Sequence, residues 1–231
     1  MIFIQKLTFE TLPSTNTYAK ENICNLSLPS LIIADHQSAG RGRRGNSFFS
    51  PKGTGLYMTL VFEEKSNSEL LTPLAAVSVC EELEKLGASP KIKWVNDIFV
   101  ESKKICGILA ERQVLNGRSY IILGIGINIS TADFPENLSI AGSLGINCDK
   151  NILAEKISER ILSYINESDS IDIISEYRSR LFIIGKNISY FRNNIRYVGY
   201  VKDINNQCNL IITLPDGKED ILSSGEISII L

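Results

Sequence analysis

Ser38-Ala39-Gly40-Arg41-Gly42-Arg43-Arg44-Gly45, reading SAGRGRRG, stands between the apolar run LIIAD (31–35) and the stretch NSFFSPKGTGLYMTLVF (46–62). Its glycines spell G-x-G-x-x-G after a β-rich run, the spacing of a dinucleotide-binding turn. That turn needs a helix to begin at its last glycine, so that helical N–H groups face a pyrophosphate. Here Pro51, Gly53 and Gly55 follow, and they stop a helix before two turns form. A phosphate loop of the G-x-x-x-x-G-K-[ST] kind fails differently: Gly40 and Gly45 have its separation, but Asn46 stands where the lysine belongs. What remains is a glycine-hinged loop carrying three guanidiniums, tethered by a strand at each end.

The charge around this loop is one-sided. From His36 to Phe62 there is no Asp or Glu, while Arg41, Arg43, Arg44 and Lys52 all fall inside. A solvated basic loop is the plain reading; a loop that closes over an anion is the functional one, because the arginine fork binds carboxylate or phosphate bidentately. Ordering about six residues costs on the order of 6 to 12 kcal/mol of backbone entropy, so a multiply charged ligand is expected to order the loop.

The whole chain limits what that anion site belongs to. Its 231 residues, 44% hydrophobic, can bury one large core or a core plus a small appendage. No apolar run approaches the roughly 20 residues of a membrane-spanning helix, and MIFIQKLTFE lacks a signal peptide's apolar stretch and cleavage site, so a cytoplasmic protein with no membrane partner is expected. Five scattered cysteines with no C-x-x-C pair read as reduced thiols rather than disulfides or a zinc cage. A net charge of −2 argues against nucleic acid wrapping the whole surface.

Patterning then places the other elements. Leu7 to Glu10 reads as a strand, and Ser14, Thr15 and Asn16 as caps for a helix over Thr17 to Ile23. Thr72-Pro73 opens a second helix, as N-cap and first helical residue, and Gly87 closes it. From Lys91 to Ile129 three or four antiparallel strands are expected, with Asn116-Gly117 as a tight hairpin turn. Lys104 heads the strand ICGILA, either as an edge lysine or aimed at a ligand, and Gly107 there leaves room for close approach. Lys93, Asn96 and Asp97 flank a bend beside the single Trp, where an Asx turn is the plain alternative. Gly124 and Gly126 imply either a bulge or backbone approach to a ligand. Asp149 or Asn151 caps a helix through about Asn166, and Ile171 to Phe182 forms another. From Gly185 onward the pattern is short strands, with Pro215-Asp216-Gly217 as a turn.

Six ordered motifs carry a resemblance. STN (14–16), HQSAGRGRRG (36–45), SPKGTGLYMT (50–59), KWVNDI (93–98), KKICGILAE (103–111) and GIGINI (124–129) closely resemble those of biotin protein ligases. The resemblance covers most of residues 7–145 and implies an α+β fold: a mixed, mainly antiparallel sheet flanked by helices, of the class II aminoacyl-tRNA synthetase-like type. It also implies a small C-terminal SH3-like β-barrel, with residues 1–184 as the catalytic domain and 185–231 as the C-terminal one. The implied activity is adenylation of biotin by ATP with Mg²⁺, then transfer of biotin to a lysine of a biotin carboxyl carrier domain.

By the same resemblance, Arg41, Lys104 and Asp97 carry the chemistry. Ser14, Thr15, Asn16, Gln37, Gly40, Gly42, Arg43 and Gly107 join Arg41 and Lys104 around biotin. Arg44, Phe48, Lys93, Asn96 and Asn128 join Arg41 and Arg43 around ATP. No metal ligand is singled out beyond the Mg²⁺ that accompanies ATP. Three positions depart from the family pattern: Phe48 for a frequent Trp, Asn46 for a frequent Arg, and Val95 for the Pro of K-W-P-N-D, whose loss is expected to loosen the bend. No Arg follows GEIS (225–228), which counts against a barrel contribution to ATP. Only 13 residues precede Ser14, so no helix-turn-helix module and no DNA partner are expected. A homodimer through sheet edges or loops is left open. The nearest enzyme alternative is a lipoate or octanoate protein ligase, and the non-enzymatic alternative is a nucleic-acid-binding module.

Overall fold

A computed structural model describes residues 3–64, 70–166 and 172–230. Its first sheet has seven strands, β1 (Gln5–Leu12), β2 (Ser30–Gln37), β3 (Gly55–Glu63), β4 (Pro90–Lys93), β5 (Asp97–Val100), β6 (Lys103–Leu115) and β7 (Arg118–Asn128). They lie in the order β1-β2-β3-β7-β6-β5-β4, with β1 and β2 parallel and every other neighbour antiparallel. The sheet is therefore mixed and mainly antiparallel, as the motifs implied. Four strands come from the 91–129 stretch, and Asn116 and Gly117 turn β6 into β7 at φ of 50° and 75°, the paired positive values of the favoured hairpin turn.

Helices cover both faces. On one side α1 (Thr15–Asn22) lays Ala19 against Ile32, Val61 and Ile122. On the other, α2 (Leu71–Lys85) and α3 (Lys150–Asn166) close the main core around Leu60, Val79, Leu123 and Ile157. A helix α4 (Ile173–Arg180) follows, capped by Asp172, whose side chain accepts from Ser175 N at 3.0 Å. None of these helices, among the described residues, is long and apolar enough to cross a membrane.

Some boundaries differ from the sequence expectations. β1 runs two residues further at each end than Leu7 to Glu10. α1 begins at Thr15 rather than Thr17; Ser14 occupies the N-cap position but makes no side-chain capping bond. α2 begins at Leu71, so Thr72 and Pro73 lie inside its first turn, where proline's missing N–H is one of the unpaired ones anyway. Asp149 caps α3, accepting from Asn151 N and Ile152 N at 2.8 and 3.2 Å. The expected start of the last helix at Ile171 lies outside the described residues, and its end falls at Arg180 rather than Phe182.

The C-terminal strands form a second, five-stranded antiparallel sheet. It contains β8 (Asn187–Arg192), β9 (Ile195–Ile204), β10 (Leu210–Thr213), β11 (Glu219–Leu222) and β12 (Ile227–Ile229), in the order β11-β10-β9-β8-β12. Its inner residues Ile188, Tyr190, Val201 and Ile212 belong to the same contiguous core as the first sheet. Trp94, in the β4–β5 bend, donates its Nε1–H to Cys208 O at 2.9 Å and ties the two sheets at one point.

Candidate active site

The glycine loop leaves β2 and folds back on itself before β3. Gly42 N donates to Asn46 O at 2.7 Å, Asn46 N to Arg43 O at 3.0 Å and Phe48 N to Gly40 O at 2.9 Å, while Arg41 and Ser47 pair as an isolated antiparallel bridge. No α-helix follows Gly45, which removes the dinucleotide reading. These internal bonds offset part of the ordering cost expected of a bare loop.

Beneath the loop lies a cavity of about 330 Å³. Ser14, Thr15, Asn16 and Gln37 line one end, Phe48 and Gly107 its floor, and Lys93, Asn96, Asp97 and Lys104 the other, with Arg41, Gly42 and Arg43 from the loop. Three residues named from the sequence lie off this lining. Gly40 packs under the loop, where an added Cβ would stand 2.3 Å from Phe48 O. Arg44 borders a neighbouring groove with Thr72 and Asn209. Asn128 is buried, and its Nδ2 donates to Gly142 O at 3.0 Å.

At the first end, neutral polar groups are buried and mutually bonded. Ser14, Thr15 and Asn16 are only 2–3% exposed. Gln37 Oε1 accepts from Thr15 N at 2.9 Å, and Gln37 Nε2 donates to Ser50 Oγ at 2.9 Å. Thr59 Oγ1 donates to Asn16 Oδ1 at 2.6 Å and lies 2.8 Å from Thr15 Oγ1. Asn16 Nδ2 in turn donates to Glu111 Oε2 at 3.0 Å. These side chains hold a wall together, which explains why α1 starts earlier than a capping role for them would allow.

The other end is charged. Lys104 Nζ sits 2.7 Å from Asp97 Oδ1, and Arg43 Nη1 donates to Asn96 Oδ1 at 3.0 Å. Burial lowers the proton affinity of Arg43, and the neighbouring Arg44 charge lowers it further. Lys93 is also pushed down by burial, with repulsion from Lys104 adding to it, although Asp97 pulls the other way. Four cations, Arg41, Arg43, Lys93 and Lys104, face two acids, Asp97 and Glu226, so the lining is electropositive. The bend carrying Asn96 and Asp97 is not loose without proline. Asn96 Nδ2 donates to Ile108 O, Ile108 N to Asn96 O, and Tyr177 Oη to Val95 O, at 2.9, 3.1 and 2.9 Å.

The glycines of β6 and β7 explain the floor. Gly107 and Gly126 are register partners, and the Phe48 ring lies across both: an added Cβ would meet it at 3.2 and 2.5 Å. Two residues earlier on the same face, a Cβ on Gly124 would stand 2.3 Å from Asn16 Oδ1. β7 pairs without a bulge, so these glycines serve close approach.

Thr59 and Glu111 join the site residues expected from the sequence; each is the polar last residue of one of the motifs, SPKGTGLYMT and KKICGILAE. The C-terminal segment also reaches the site. Gly225, Glu226, Ile227 and Ser228 line the cavity, and Glu226 Oε1 accepts from Asn46 Nδ2 at 3.2 Å.

Fold and site together define an α+β protein whose cationic loop lies over a cavity with a glycine floor. The chain belongs to the biotin/lipoate A/B protein ligase family, whose model matches residues 8–128. It is 29% identical over 229 residues to the bifunctional ligase/repressor BirA of Escherichia coli, covering 94% of this chain and 71% of that one. It is 26% identical over 215 residues to the biotin--[acetyl-CoA-carboxylase] ligase of Mycobacterium tuberculosis, covering 85% of this chain and 77% of that one. The biotin protein ligase of Aquifex aeolicus, solved in complex with biotin and ATP, superposes with a TM-score of 0.83 at 26% identity, over 97% of this chain and 98% of that one.

Proposed function

We infer that this chain is an ATP-dependent biotin protein ligase. It joins the biotin carboxylate to the α-phosphate of ATP, releasing pyrophosphate, and then passes the biotinyl group to a lysine of a biotin carboxyl carrier domain. The observation that carries this reading is the cavity's polarity. One end offers buried neutral donors and acceptors, suited to a ureido ring, and the other an excess of fixed cations.

Attack of a carboxylate on a phosphate brings like charges together, and two unit charges about 4 Å apart repel by about 4 kcal/mol at an effective dielectric of 20. Lys104, held by Asp97, and Arg43, steadied by Asn96, supply fixed positive charge where that repulsion develops. Magnesium, when bound, neutralises phosphate charge. Among the described residues no group of three His, Cys, Asp or Glu stands together to cage a metal. The carboxylate oxygen forms the bond to the α-phosphorus as the bond to pyrophosphate breaks.

In the second step the carrier lysine, as a neutral amine, attacks the acyl carbon. AMP leaves with the bonding pair, and the amine's proton passes to solvent. Asp97, a carboxylate of the cavity lining beside Lys104, is the group that orients it. The loop, with Arg41 and Arg43 over the cavity, keeps water from the labile mixed anhydride in between.

Exchange of labelled pyrophosphate into ATP tests the reading, with biotin, lipoate or no acid present. Exchange with biotin is expected. Exchange with lipoate alone would make the chain a lipoate ligase, and none with either acid would remove the enzymatic reading.

A further inference from the structure

We propose that Glu111 is a positioning residue that couples the glycine loop to the α1 wall of the cavity. The proposal rests on the reading that this cavity takes biotin at its α1 end. Glu111 lies on β6, on the sheet face covered by α1, and its side chain is 17% exposed. Donors from two separate elements converge on it. From α1, Asn16 Nδ2 approaches Oε2 at 3.0 Å and Lys20 Nζ approaches Oε1 at 2.6 Å. Asn16 and Lys20 are one helical turn apart and so share a face. From the loop, Arg41 Nη2 donates to Oε1 at 3.1 Å and Nη1 to Oε2 at 3.4 Å.

Two consequences follow from one carboxylate. First, it fixes which end of the Asn16 amide faces where. With Nδ2 turned to Glu111, Oδ1 must face Thr59, above Gly124. A flipped amide would set oxygen against carboxylate. Second, it holds two cations side by side. Without its negative charge, Lys20 and Arg41 confront each other as like charges, and Arg41 is the one free to swing, because it sits on a glycine-flanked loop. The guanidinium has five N–H donors and spends two on Glu111, so the others stay available to an acid in the cavity. Glu111 thereby sets the pose of Arg41 and of the head-group wall together, without itself lining the cavity.

The test uses the full chain as wild type, Glu111→Gln, Lys20→Met and the double variant. One readout needs no ligand: the rate of tryptic cleavage after Arg41, Arg43 and Arg44. Glu111→Gln should raise it several-fold, and adding Lys20→Met should bring it back toward wild type by removing the opposing charge. The second readout is the split of Michaelis constants in pyrophosphate exchange. Losing one charge-assisted contact should raise KM for biotin, which meets both Arg41 and the Asn16 wall, about tenfold, and KM for ATP, which meets Arg41 without that wall, by clearly less. Wild-type cleavage and wild-type KM for biotin in Glu111→Gln would overturn the proposal. So would equal rises in both constants that Lys20→Met does not relieve, the mark of general structural loss. A wild-type chain without biotin-dependent exchange would contradict the proposed function instead, and the cleavage rates would then judge the coupling alone.

Discussion

Gly126→Ala adds one methyl group to the cavity floor, and the structure says what it meets. The new Cβ would stand 2.5 Å from Phe48 Cε1, 2.7 Å from Cζ and 3.0 Å from Cδ1, where ordinary contact begins at 3.4 Å. The ring must therefore move by about 0.9 Å, because the strand beneath it is pinned on both sides by β3 and β6. Moving it weakens the edge contact with Tyr57, whose ring centroid lies 6.4 Å away at 70°, and drags the loop that carries Arg41 and Arg43. Overpacking of this kind costs about 1 to 3 kcal/mol where the neighbours are fixed. Here the half-exposed loop can yield, so melting should fall little. Catalysis should fall more, since a misplacement of about 1 Å costs up to about a hundredfold. Pyrophosphate exchange should show kcat/KM down about ten- to a hundredfold. Phe48→Ala combined with Gly126→Ala should be no worse than Phe48→Ala alone, because the clash is then gone. A fully active Gly126→Ala variant, or losses that simply add in the double variant, would refute the close-approach argument.

Lys104→Ala should slow adenylate formation by about a hundred- to a thousandfold, the usual loss for one preorganised charge-stabilising group, as seen in single-turnover exchange. Arg41→Gly should let the adenylate escape, read as biotin appearing on lysines outside the carrier domain; retention equal to wild type would remove Arg41 from the clamp. Tyr177→Phe loses the hydrogen bond to Val95 O and should lower unfolding stability by about 1 kcal/mol in urea, since a half-buried carbonyl loses its partner. Burial alone would raise the Glu111 carboxyl, but hydrogen bonds from Lys20 and Asn16 and the charges of Lys20 and Arg41 outweigh it and hold it below its ordinary 4.5. Its contribution is thus complete above that value and is lost as pH falls through the folded value. The stability gap between wild type and Glu111→Gln should be constant near neutrality and shrink below about pH 4.5; a gap unchanged at pH 3 would contradict the assignment.

The parts of this protein that local chemistry governs were legible in the sequence. The Asn116-Gly117 hairpin and the α3 cap, which falls to Asp149 rather than Asn151, depend on neighbours a few residues away and follow the sequence expectation, whereas the glycine loop, expected bare, is held by its own backbone bonds. Ser14, Thr15 and Asn16 read as caps because capping is what such residues do locally. Tertiary partners at Gln37, Thr59 and Glu111 claim Thr15 and Asn16 instead. The same holds for the glycines of β7. Their spacing of two announced a shared face, but what fills the space above them, Asn16 and Phe48, lies some 80 to 110 residues away in the chain. Val95 shows the converse: the rigidity a proline would give locally is supplied from a distance, by Tyr177, by Ile108 and, through Trp94, by Cys208. The cavity lining at Gly225 to Ser228 depends on how the second sheet docks, which no local pattern announces.

The central claim is that one cavity makes an activated biotin and delivers it to a protein lysine. Mixing the chain with biotin, ATP and a biotin carboxyl carrier domain, then weighing the intact carrier, tests this directly. The account predicts one added biotinyl group on a single lysine, with one pyrophosphate and one AMP released per group. A carrier of unchanged mass alongside accumulated adenylate, or one that gains mass only when lipoate replaces biotin, would contradict it.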